Sequence, residues 1–66
     1  MGINEIFGNN VRKIRTEKKI SQEELASMAG IDRTYMSDIE NGRRNVSLVI
    51  AEKVAKALDV DLKSLL

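Results

Sequence analysis

Residues 21–42 read SQEELASMAGIDRTYMSDIENG, and this stretch decides the fold. It opens on Ser21-Gln22-Glu23-Glu24, the signature of a helix start. The Ser21 hydroxyl can accept from the Glu24 amide while the Glu24 carboxylate reaches back to the Ser21 N–H. Ile20 and Leu25 stand at the positions of a hydrophobic staple across that start. The helix is short, because Gly30 follows Ala29 and suits the left-handed residue that ends a helix. A second start comes at once, with Asp32 as N-cap and Ile31 stapling to Met36. This later helix reaches Glu40 or Asn41, and Gly42 closes it.

Only Gly30 to Asp32 join the two helices. Ala26, four residues before Gly30, is small enough to let them cross closely. Leu25, Met28, Ile31, Met36 and Ile39 are expected to close the angle with apolar contacts. This spacing is that of a helix-turn-helix rather than an ordinary corner in a small bundle. Its geometry presents the start of the later helix to a DNA major groove.

Working outward, the same helix grammar recurs and no strand grammar appears. A first helix is expected from about Asn4 to Lys18, with Ile6, Val11, Ile14 and Phe7 on one side. After the polar loop Arg43-Arg44-Asn45, Ser47 caps a helix whose Leu48, Ala51, Val54, Ala55 and Leu58 are spaced three and four apart. Asp61 is placed to cap a last turn or two, with Val60 stapling to Leu65. The expectation is one all-α domain over residues 1–66, five helices, with the motif at about 22–41 in the second and third.

Composition bounds the function. The chain has 66 residues, 42% of them apolar. A chain this short buries only about 60% of its unfolded surface, so a stabilising device is expected. No cysteine or histidine is present. Disulfides, thiolate zinc, the commonest metal ligand and the commonest general base are thereby removed, and a dimer remains as the staple. No cofactor, metal or small-molecule ligand is implied. No apolar run approaches the roughly 20 residues that span a bilayer; with no signal peptide visible, the expectation is a cytoplasmic protein without a membrane. Net charge is only +1, yet Arg12, Lys13, Arg15, Lys18 and Lys19 crowd one short stretch. That stretch is either a solvated helix face or part of an anion-binding surface.

The stretches FGNNVRKIRTEKKISQEELASMAGI, RTYMSDIENG and SLVIAEKVAKALDV resemble the Cro and phage-repressor type of helix-turn-helix domain, a five-helix, lambda-repressor-like fold. The likeness runs from residue 6 to about 65. Within that family, DRTYMSDIENGRRNVSL is most similar to controller proteins of restriction–modification systems, which regulate endonuclease and controller genes. Two departures stand out. The family usually has glycine where Lys19 stands, so Lys19 either takes a positive φ at a cost of about 1 kcal/mol or the turn differs. Val49 and Ile50 replace residues that are often polar; they add dimer surface, or Ile50 packs inward.

The resemblance assigns roles. Arg33 and Thr34 occupy the first turn of the reading helix, with Ser37 and Asp38 one turn on. Arginine there can bond guanine O6 and N7 together, and threonine can touch a base or a thymine methyl. Asp38 either accepts from cytosine N4 or pairs with Arg33, and the pair is favoured because a carboxylate in a groove is costly. Gln22, at a helix N-terminus, suits phosphate and in the family also braces the reading helix. Tyr35 either packs on the core or offers its hydroxyl to phosphate. Asn41, Arg43, Arg44 and Asn45 resemble a second phosphate clamp, which sets register without reading sequence. The family pairs an arginine of the first helix with the glutamate ending the reading helix, here Arg15 and Glu40, leaving Arg15 near phosphate.

One such module reaches few base pairs. A two-fold dimer places two reading helices about 34 Å apart on a pseudo-palindrome. Val49, Val60, Leu62, Leu65 and Leu66 are candidates for the dimer face, in competition with the core. The expected function is therefore a homodimeric, autoregulatory transcriptional regulator binding double-stranded DNA. A Cro-like phage or plasmid repressor is the near alternative. An antitoxin-type module is the distant one. An enzyme would have to work without histidine, cysteine or a paired-carboxylate pocket.

Overall fold

The structure is a computed structural model that describes all 66 residues. Four α-helices follow one another: α1 (Ile3–Glu17), α2 (Gln22–Ala29), α3 (Arg33–Glu40) and α4 (Leu48–Ala57). A single 3-10 turn, Leu62–Leu65, ends the chain. The fifth element is thus shorter and tighter than a helix of the expected kind. The Asp61 side chain makes no capping bond, and four residues cannot sustain an i to i−4 ladder. What the turn achieves is the burial of Leu65.

The starts of α2, α3 and α4 are each made by the residue whose chemistry favours it. Ser21 accepts from the Glu24 N–H at 3.0 Å, and Glu24 returns the bond to the Ser21 N–H at 3.0 Å. Hydrogen bonding to its carboxylate by the Ser21 backbone N–H, and then by the Ser21 hydroxyl, holds the Glu24 carboxyl below its ordinary value. Asp32 accepts from the Tyr35 N–H at 2.7 Å, and Ser47 from the Ile50 N–H at 3.1 Å. Gly30 ends α2 at φ 73, which lets the Ile31 N–H bond the Ala26 carbonyl at 3.0 Å. Lys19 takes the same left-handed conformation at φ 58, so the turn after α1 keeps its shape although the side chain is unsuited to it.

The core lies where the four helices meet. Phe7 and Val11 of α1 face Leu25, Ala26 and Ala29 of α2, Met36 and Ile39 of α3, and Ala51, Val54 and Ala55 of α4 with Leu58 just after it; Leu65 closes the base. Phe7 and Val11 supply the inward line of α1, with half-buried Ile14 packed against the core; Ile6 is also half-buried. α2 packs on α3 and α4, while α1 packs on α3 and the 3-10 turn. Met28 does not close the helix corner as expected: it is 57% exposed. Leu25, Ala26 and Ala29 already fill the face of α2 that meets α3 and α4, and Met28 falls outside that stripe. Ile50 turns inward against the core, and Val49 stays outside.

Gly8 sets how near α1 comes to the end of α3. It is buried, and a Cβ there would run into the Ile39 carbonyl oxygen and press on the Glu40 backbone. A glycine inside a helix costs about 1 kcal/mol in propensity; here it allows the approach that brings Arg12 and Arg15 to Glu40.

Candidate nucleic-acid interface

Glu40 is the hub of the site. Its carboxylate is fully buried, and four bonds satisfy it. Arg15 donates from Nε to Oε2 at 2.6 Å and from Nη2 to Oε1 at 3.0 Å. Arg12 donates from Nε to Oε1 at 3.5 Å, and Gln22 from Nε2 to Oε1 at 3.3 Å. Arg15 spends its remaining Nη on the Ile20 carbonyl at 2.9 Å. The carboxylate that ends α3 therefore ties together α1, the turn after it, and the first residue of α2. No buried side-chain polar atom in the molecule lacks a partner.

This hub fixes the pose of α3. Arg33 and Thr34 stand exposed on its first turn, with Ser37 and Asp38 half-buried beside them. Together with Gln22 and Arg43 they line one shallow groove that contains no apolar residue. Arg43 sits there because its N–H bonds back to the Asp38 carbonyl at 2.9 Å, curling the loop over the end of the helix.

Asp38 pairs with Arg44 at 3.5 Å, and not with Arg33. Arg33 and Asp38 are five residues apart, about 140° around an α-helix, so their side chains diverge. The returning loop brings Arg44 instead, and its guanidinium carbon lies 4.2 Å from the centre of the Tyr35 ring. Tyr35 is half-buried against the core, the first of the two alternatives open to it.

The sequence reading gave Gly8 and Asn4 no part in the site, and placed Arg12 only within a basic run. Arg12 donates to Asn41 Oδ1 at 3.0 Å as well as to Glu40, and Asn4 donates to Asn45 at 2.7 Å. These contacts span 28 to 41 positions, and only the basic run around Arg12 hinted at them. Arg15 is the reverse case. With its side chain 14% exposed and its donors engaged, little of it is left for phosphate.

A family model described as helix-turn-helix matches residues 11–65. The chain belongs to this family. It is accordingly a DNA-binding transcriptional regulator, not an enzyme. It is 52% identical over 60 residues to control protein C.MunI of a Mycoplasma species, spanning 89% of this chain and 81% of that one. Identity to control protein C.BamHI of Bacillus amyloliquefaciens is 55% over 62 residues, 92% and 76% of the two chains. The restriction–modification controller C.AhdI of Aeromonas hydrophila superposes with a TM-score of 0.92 at 46% identity, covering 96% of each chain. No helix is long and apolar enough to cross a membrane.

Proposed function

We propose that this helix-turn-helix regulator acts as a homodimer on a pseudo-palindromic operator upstream of its own gene, controlling a restriction–modification system. The groove along α3 is the observation that carries the reading. Its lining is entirely polar, it stands on a helix locked from behind by a buried ion-pair hub, and it offers Arg33 and Thr34 outward. Arg33 reads guanine; Thr34, Ser37 and Asp38 complete the base contacts. Gln22 with the amides of α2, and Asn41, Arg43 and Asn45 in the following loop, hold phosphate on either side. Arg44, stacked on Tyr35, pairs with Asp38 and offsets its charge, so that the carboxylate does not repel the backbone. Likeness to the named control proteins supports the choice of system, with the cytoplasm as its place of work.

The dimer reading rests on an apolar face away from the groove. Leu48 is 78% exposed and its neighbour Val49 66%, and Ile3 and Leu66 are exposed as well. Ile3, Phe7, Val46, Leu48, Ala51, Leu62 and Leu66 wall a hollow of about 130 Å³ there. Leu65 must be removed from the expected interface, because the 3-10 turn buries it completely. Val60 and Leu62 are half-buried against the core and can serve only as the rim. The molecule extends 26 × 22 × 20 Å, so two reading helices one DNA turn apart require two chains.

Footprinting on the DNA upstream of the coding region tests this reading. Two protected half-sites about one helical turn apart are expected. Uniform, unpositioned protection would contradict it.

A further inference from the structure

The loop between α3 and α4 carries the proposed phosphate clamp, and side chains hold its middle. Backbone bonds fix its two ends: Arg43 N–H to the Asp38 carbonyl at 2.9 Å, and Ala51 N–H to the Ser47 carbonyl at 2.9 Å. Between them, Arg44, Asn45 and Val46 make no backbone-to-backbone hydrogen bond. Arg44 is stacked on Tyr35 and Val46 rests on the core. Asn45 has one anchor, the Asn4 side chain, whose Nδ2 donates to Asn45 Oδ1 at 2.7 Å. Asn4 lies in the first turn of α1 and is the single polar residue in the wall of the apolar hollow.

An asparagine amide has an acceptor edge and a donor edge. Asn4 occupies the acceptor edge of Asn45, which leaves two N–H bonds for an outside acceptor. A phosphate oxygen only accepts. We propose that Asn4 is a positioning residue for DNA binding, holding the Asn45 side chain in place on a loop whose middle has no backbone bonds. The proposal rests on the clamp reading given above. It also puts the clamp's orientation under the control of α1, a helix that reads no base, next to the face where a second chain would seat.

A double-mutant cycle decides it. Affinities of the wild type, Asn4→Ala, Asn45→Ala and the double variant are measured on the footprinted duplex and on a scrambled one, with thermal unfolding alongside and Arg43→Ala as the clamp control. Asn4→Ala is expected to lose about three- to tenfold on both duplexes, the worth of one hydrogen bond, with wild-type unfolding. The double variant binds no more weakly than Asn45→Ala. An Asn4→Ala protein with wild-type affinity, or losses that add in full, overturns the proposal. Should Arg43→Ala weaken binding while Asn45→Ala does not, the clamp stands and the positioning role falls. Should neither weaken it, the clamp falls too.

Discussion

Arg15 and Arg12 both bond Glu40, yet burial separates their worth. The Arg15 side chain is 14% exposed and the Glu40 side chain not at all, whereas Arg12 is 47% exposed. Removing Arg15 takes the two shortest bonds from a buried carboxylate and leaves Oε2 without a partner; breaking a buried pair costs about 3–5 kcal/mol. Removing Arg12 deletes an exposed, long contact worth about 0–1 kcal/mol. Urea unfolding of Arg15→Ala and Arg12→Ala is expected to show that gap; equal costs would mean the carboxylate is better solvated than its geometry implies. This contrast was not legible in the sequence. Both arginines belong to one basic run, and only folding, through the close approach at Gly8, decides which of them is covered. The Arg15–Glu40 pair itself came from family likeness, since nothing in the spacing of residues 25 positions apart relates them.

Among the elements, the starts of α2, α3 and α4 were legible because a cap is local chemistry. Ser21, Asp32 and Ser47 each bond an amide three residues on. Asp61 shows the limit of that reading: a capping residue type in a segment too short to use it. Met28 and Leu65 show another. Apolar spacing tells which residues share a side of a helix; whether that side meets a neighbour depends on elements distant in the chain. The turn after α1 holds a usable defect. Lys19 sits at φ 58, where a side chain costs about 1 kcal/mol relative to glycine. Lys19→Gly is expected to stabilise the protein by up to about that amount in thermal or urea unfolding. A destabilised variant would show that the lysine makes a contact that offsets its conformation.

A chain of 66 residues with a core of 12 apolar side chains gains from a partner. The exposed face around Leu48 and Val49 supplies a surface for one. Sedimentation at micromolar concentration is expected to give a dimer, and Val49→Glu a folded monomer with weaker DNA binding. A wild type that remains monomeric would remove the two-fold arrangement while leaving the groove intact. The groove is where the account stands or falls. Net charge is +1, so electrostatic attraction supplies only a handful of phosphate contacts and discrimination must come from side chains on α3. Equilibrium binding of Arg33→Ala to the footprinted operator and to a scrambled duplex measures that discrimination. The account predicts a loss of about 1–3 kcal/mol on the operator with nonspecific binding nearly unchanged; an equal loss on both duplexes would contradict it.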